Sequence, residues 1–168
     1  VGKRLIPPLR GERVSLRLLE EADLPRTLAW RNQDHIRRWF VHSDVITAEE
    51  HRRWFAGYRE RDDDFVFVIE ETLDLRRPVG QVSLYQIDWS RHRAEYGRLM
   101  IGAPEAAGRG LGRDATDVLI RYATTALGIR EIVLDVFADN APALAIYAAC
   151  GFRVRERCGA LLHMVRTA

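Results

Sequence analysis

Between residues 65 and 102 three strand-length segments follow one another, joined by turns too short to hold a helix. Phe65 to Ile69 is a continuous apolar run, Pro78 to Ile87 alternates around Val79, Val82 and Leu84, and Ala94 to Gly102 follows a turn at Trp89 to Arg93. Strands joined this closely pair antiparallel, because a parallel crossover needs a dozen or more residues. Glu12 to Leu19 adds an earlier half-buried strand, with Val14, Leu16 and Leu18 on one face. Beyond residue 102 the pattern changes. Arg113 to Leu127 sets Ala115, Val118, Leu119, Tyr122, Ala123, Ala126 and Leu127 at helical steps, and Gly128 is placed to end it. Ile132 to Phe137 then reads as a buried strand, Ala141 to Cys150 as a short helix, and Phe152 to Arg157 and Leu161 to Arg166 as closing strands.

Upstream, Glu20 to Asn32 reads as a helix carrying Leu24, Leu28 and Ala29, and Gln33 to Ile46 as a polar-aromatic loop or broken helix. Thr47-Ala48-Glu49-Glu50 has the form of a capping box opening a helix with Trp54, Phe55 and Tyr58. The fold class is therefore α/β in the mixed α+β sense: a mostly antiparallel twisted sheet of six to seven strands flanked by about four helices. A chain of 168 residues fits one domain spanning 1–168. It can bury a core without disulfide or metal staples.

With 26 basic and 24 acidic residues the charge is nearly balanced, which argues against a protein built to neutralise nucleic-acid phosphates. Lys3 is the sole lysine beside 25 arginines, a bias that genome composition explains as readily as recognition of phosphate or carboxylate. Cys150 and Cys158 form no CxxC and have no histidine at ligand spacing, so neither a metal nor a disulfide is expected. No apolar run approaches a membrane span. The chain starts at Val1 rather than Met, which reads as trimming or an incomplete N-terminus, and its first residues lack a secretory h-region. A cytoplasmic protein with no membrane partner is expected.

Between the fourth strand and the long helix lies Ala107-Gly108-Arg109-Gly110-Leu111-Gly112-Arg113. Glycines at a helix N-terminus expose backbone N–H groups, and with the positive end of the helix dipole they suit a diphosphate. A tight loop without any ligand would explain the glycines alone. A P-loop is excluded, since no Gly-Lys-Ser/Thr follows. Gly110-x-Gly112-x-x-Ala115 with Asp135 further on mimics a dinucleotide fingerprint, but the preceding strands are antiparallel and too little chain remains for that fold.

A second motif runs from Asp139 through Asn140, Ala141, Pro142 and Tyr147 to Gly151-Phe152. Asn140 is a good N-cap, and Tyr147 lies seven residues on, about 10 Å along the same helix face. Alone, this is also a capped helix with a core tyrosine. Together the two motifs resemble the GNAT superfamily of acetyl-CoA-dependent N-acetyltransferases, and the likeness covers nearly the whole chain. Trp30-Arg31-Asn32, Ile36-Arg37-Arg38-Trp39 and Thr47-x-Glu49-Glu50-His51 further resemble two of its branches. One acetylates ribosomal-protein N-termini and the other the amines of nucleotide-linked sugars.

The resemblance implies acetyl-CoA as acyl donor, no metal, and direct attack of a neutral amine on the thioester. It places the diphosphate on Ala107, Gly108, Arg109, Gly110, Leu111, Gly112 and Arg113, and the pantetheine arm along Leu99, Met100 and Ile101. Asn140, Ala143 and Tyr147 complete the cofactor set. The family's turn usually begins with Gln or Arg where Ala107 stands, so the backbone carries that contact, with Arg109 or Arg113 as replacement. Tyr147 matches the general acid beside the sulfur, and Glu95 is the candidate base. Arg31, Asn32, His35, Trp39 and Phe40 are the candidate acceptor residues, with His42 and His51 as further groups. Cys150 lacks the partners of an acyl-cysteine nucleophile. The expected acceptor is a small-molecule amine or amino sugar, with a protein N-terminus or a non-catalytic acyl-CoA sensor as alternatives. A homodimer is the assembly considered.

Overall fold

A computed structural model describes residues 2–168. The elements run β1 (Leu9–Arg10), β2 (Val14–Leu18), α1 (Leu24–Arg31), α2 (Asp34–Arg37), α3 (Ala48–Tyr58), β3 (Asp64–Glu71), β4 (Arg77–Asp88), β5 (Arg93–Ile101), α4 (Leu111–Thr125), β6 (Glu131–Phe137), α5 (Ala141–Ala149), β7 (Arg153–Cys158) and β8 (Leu161–Thr167). All eight strands join one sheet in the order β1-β2-β3-β4-β5-β6-β8-β7. The sheet is thus larger than the six to seven strands expected, and there are five α-helices rather than four. The additions are two-residue β1 and four-residue α2, both too short for a hydrophobic period to reveal.

The continuous apolar run in β3 is explained by cover on both faces. Phe65, Phe67 and Ile69 join the main core with Leu111, Ala115, Val118 and Leu119 of α4. Val66 and Val68 face the other way, onto Leu24 of α1 and Phe55 and Tyr58 of α3. The capping box forms as expected: Thr47 Oγ1 accepts from the Glu50 amide at 3.1 Å, and Glu50 Oε2 accepts from the Thr47 amide at 2.8 Å. The buried face of α1 differs from the expected one. It comprises Leu24, Thr27, Trp30 and Arg31, whereas Ala29 is exposed. Trp30 draws this face inward by packing with Ile36 and Met100.

Every strand pairing is antiparallel except that of β5 with β6. That parallel contact lasts three residues, Arg93 to Glu95 against Glu131 to Val133. Beyond it β5 carries a bulge, where Gly97 pairs with Ser83 and Met100 with Gln81, so three steps on β5 match two on β4. Arg98 at the bulge has φ +54°. The extra residue bends β5 away from β6, and a wedge opens between them.

Trp30 fixes α1 beside this wedge by resting on Gly102, where a Cβ would overlap the indole. Replacing Gly102 by Ala is expected to lower stability by about 1–3 kcal/mol through overpacking. Urea denaturation followed by tryptophan fluorescence checks this, and an unchanged midpoint would show that Trp30 does not depend on that glycine.

Candidate active site

The wedge holds a cavity of about 770 Å³ bounded by β5, β6, the 108–112 turn, α5 and the segment from α1 to residue 42. Its chemistry differs at the two ends.

At one end, Gly108 (φ +73°) and Gly110 (φ +77°) turn the chain through left-handed conformations into α4. Glycine tolerates this geometry without steric cost. Gly110 is the N-cap and supplies no side-chain cap to the first-turn amides, so those donors remain directed outward from the positive end of a 15-residue helix. A Cβ on Gly112 would lie 3.4, 3.7 and 3.9 Å from Ile146, Leu99 and Ile101, all cavity walls, so its absence keeps the throat open. These features fit a diphosphate-bearing donor. Arg109 lines the cavity. Ala107 and Arg113 lie outside its lining: Ala107 donates its amide back to Pro104, and Arg113 sits on the exposed side of α4. Of the two replacement arginines expected, the fold brings Arg109 to the cavity. Sequence reasoning missed Arg13, whose Nε meets Asp114 at 2.6 Å and whose Nη1 donates to the Arg109 carbonyl at 2.8 Å, bracing the turn. No local signal links positions a hundred residues apart.

Along α5, Asn140 caps the helix by accepting from the Ala143 amide at 3.3 Å. Asn140, Ala143 and Tyr147 all reach the cavity, as do Leu99, Met100 and Ile101 of β5. The Tyr147 ring packs edge-on to Tyr96 (5.8 Å) and Phe152 (6.0 Å). Burial, with Cys150 adjacent, pushes its phenol up to about 12, so it stays protonated near neutrality. Burial and the Asp117 carboxylate likewise push the Cys150 thiol up to about 12, the opposite of an activated nucleophile.

At the other end, Glu95 faces the cavity with Tyr85, its register partner on β4. Burial first, then the Glu95 carboxylate, raise the Tyr85 phenol well above its ordinary value. Asp135 on β6 also lines the cavity and meets His163 Nδ1 at 2.8 Å. Tyr85 and Asp135 are cavity residues outside the expected set. Only strand register brings them together, and register is not visible in any one segment. His35, Trp39 and Phe40 line this end as expected. Asn32 does not, because its amide group is engaged with both backbone groups of Ile46, at 2.8 and 2.9 Å, closing the intervening loop. His51 stacks on Trp54 and lies 3.2 Å from Thr27 Oγ1, where burial lowers its pKa.

The sequence profile of the acetyltransferase (GNAT) domain matches residues 13–153. The chain belongs to the GNAT acetyltransferase family. Its class is therefore that of the acetyl-CoA-dependent N-acetyltransferases, with acetyl-CoA as donor. Among similar GNAT proteins, an N-acetyltransferase 9-like protein of Caenorhabditis briggsae is 29% identical over 126 residues, covering 70% of this chain and 63% of that protein. The spermidine N(1)-acetyltransferase of Vibrio cholerae is 26% identical over 142 residues, covering 84% of this chain and 80% of that enzyme. The crystal structure of a V. cholerae spermidine N-acetyltransferase with CoA and spermine superposes with a TM-score of 0.83 at 24% identity, over 92% of this chain and 95% of that one. Among the described residues no helix is long and apolar enough to cross a membrane. None of their His, Cys, Asp and Glu side chains cluster in threes as a metal site would.

Gly110→Ala forces a left-handed φ on a residue with a side chain and brings its Cβ to 3.0 Å from Arg13. It is expected to weaken CoA binding about tenfold by re-aiming the first-turn amides, with a strain cost of about 1–2 kcal/mol. Isothermal titration with CoA reads the first effect, and an unaltered Kd would remove the turn from the donor site.

Proposed function

We propose that this chain, as a single GNAT domain, transfers the acetyl group of acetyl-CoA to a primary amine of a small molecule in a ternary complex. The observation that carries the reading is that Tyr147, the amide-bearing turn and Glu95 all line one cavity. Bound acetyl-CoA supplies the activated thioester and a thiolate leaving group. The amides of residues 108–113 and Arg109 hold the diphosphate, while the free edge of β5 at Leu99 to Ile101 aligns the pantetheine arm. Tyr147 donates a hydrogen bond at the sulfur. Its raised pKa exceeds that of a thiol, ordinarily near 8.5, so the phenol shares its proton with the developing thiolate rather than releasing it beforehand. At the opposite end Glu95 accepts the proton that an ammonium must lose before it attacks, with Tyr85 holding the carboxylate in place. Trp39 and Phe40 exclude water from the acceptor and His35 lines its entrance.

A second reading has a protein amine as acceptor. It is supported by 25% identity over 166 residues to the alpha/beta-tubulin-N-acetyltransferase 9 of Drosophila melanogaster. A binding-only acyl-CoA sensor is the third. Self-association belongs to the same reading, supported by a V. cholerae spermidine N-acetyltransferase described as dodecameric (TM-score 0.77, 23% identity). A reducing, cytoplasmic setting is supported by two free cysteines.

Thiol release from acetyl-CoA over a panel of diamines, amino sugars, amino acids and peptides separates the three. Small amines turn over under the first reading, peptides under the second, and nothing under the third while CoA still binds. Tyr147→Phe is expected to lower kcat about a hundredfold with CoA affinity held within about threefold. Because the folded phenol titrates near 12, wild-type kcat should show no loss from its ionisation up to about pH 10. Full activity of the phenylalanine variant, with chemistry rate-limiting, would remove Tyr147 from the mechanism. Glu95→Gln is expected to slow turnover about ten- to a hundredfold, most at low pH, where the amine proton is hardest to lose.

A further inference from the structure

Among the described residues four charged side chains are buried: Asp23, Arg31, Asp64 and Glu71. Three are compensated. Asp23 meets Arg17 at 2.8 Å, Asp64 meets Arg98 at 2.8 Å, and Glu71 accepts from the amides of Leu73, Asp74 and Leu75. Arg31, 8% exposed, has no carboxylate within ion-pair reach among the described residues. Its Nη2 donates to the His42 carbonyl, its guanidinium lies 4.3 Å from the Phe40 ring, and its Nη1 is buried with no hydrogen-bond partner. A buried cation left unpaired is costly, and native proteins rarely keep one without a use.

Arg31 stands between two cavities. Besides the wedge it lines a second space of about 440 Å³, walled on its apolar side by Val45, Ile46 and Trp54. Arg31, Phe40, His42 and Arg98 belong to both linings. Arg98 is occupied by Asp64 and stacks over Tyr85 at 4.0 Å. Of the acidic groups on the second cavity, Glu50 is engaged in capping α3 and Asp44 is exposed to solvent. His51, lowered by burial, adds no charge there near neutrality. The charges across the site are therefore polarised. Carboxylates at Glu95 and Asp135 line the wedge, and the unpaired Arg31 guanidinium stands where the acceptor's remainder would lie, beside Arg98, which Asp64 neutralises.

We propose that Arg31 is a specificity residue that selects acceptors carrying an oxyanion, a carboxylate or a phosphate, on the same molecule as the reactive amine. The oxyanion pairs with the guanidinium fork and satisfies Nη1, while the molecule's apolar body rests on Trp54, Val45 and Ile46. The substrate class is a zwitterionic amine rather than a polycation. This rests on the acetyl-transfer reading given above and narrows it.

The test uses matched acceptors differing at one end: ω-amino acids, their primary amides, the corresponding diamines including spermidine, and aminoalkyl phosphates. Wild-type kcat/KM is expected to favour the acids or phosphates over the amides by about ten- to a hundredfold, the range of a charge-assisted hydrogen bond. The acid and phosphate arms distinguish which oxyanion is preferred. Arg31→Gln is expected to collapse that ratio to within about threefold, and Arg31→Lys, which keeps charge but loses the fork, to an intermediate value. Wild-type preference for diamines or spermidine, or a ratio that survives Arg31→Gln, would overturn the proposal. Should Arg31→Gln not fold, the wild-type ratio and the lysine variant decide. Isothermal titration of acids and amides against the CoA-loaded protein reads the same preference without turnover. Acid-selective binding with no turnover of any amine would sink the transfer reading and leave the Arg31 assignment standing.

Discussion

The site exists because two neighbouring strands stay paired for three residues and then separate. A parallel connection from β5 to β6 needs a crossover, and α4 supplies it. That crossover places the N-terminus of α4 at the end where β5 finishes, which is the open end of the wedge. The helix's unpaired amides and the unpaired edge of β5 therefore face the same space. Neither has a strand partner there, and buried backbone groups require one. An extended ligand with an anionic end satisfies both demands at once. The bulge at Gly97 to Met100 is what makes the separation abrupt, and Gly80 permits it, since a Cβ at that position would overlap the Met100 carbonyl.

The donor end is held together by a short relay through the core. Tyr96 donates to Thr116 Oγ1 at 2.6 Å, and Thr116 donates to the Gly112 carbonyl at 2.6 Å. Tyr96 also provides the edge-on surface on which Tyr147 rests. The first turn of α4 and the Tyr147 ring are thus fixed to each other through one fully buried tyrosine. The same burial that orients Tyr147 removes water from its phenol and keeps it protonated. Glu95, half-buried on β5, lines the same cavity, so the phenol and the carboxylate share one strand-helix frame.

Much of this frame was legible in the sequence because it rests on short-range pattern. The capping box at Thr47, the glycine turn and the Asn140–Tyr147 face each lie within a dozen or so residues, and the antiparallel middle follows from strands joined in sequence by short turns. What was illegible depends on partners distant in the chain. Tyr85 joins the cavity through register with Glu95, Asp135 through the placement of β6 beside β5, and Arg13 braces the turn through a bond to Asp114. The motif around Arg31 points to an acceptor residue, yet its burial runs against what an arginine in a polar helix leads one to expect. Asn32, from the same motif, turned out to clamp a loop. Adjacent helical residues point about 100° apart, so a linear motif cannot say which of two neighbours faces the ligand.

The two halves of the site are therefore built on different physical footings. The donor half is formed by strands, helix ends and close-packed glycines, where any change propagates into the core. The half proposed to take the acceptor is walled by residues 31–46, held by Asn32 to Ile46, Arg31 to the His42 carbonyl and Arg37 to the Ser43 carbonyl. These are bonds within one segment, with Trp30, Ile36 and Phe40 as its apolar anchors to β5 through Met100. Such a segment can change its inward side chains while keeping its own closure, without disturbing the sheet. Under the reading proposed above, the family likeness identifies the donor, and the acceptor is read from the few side chains, Arg31 at the end of α1 foremost, that reach the cavity.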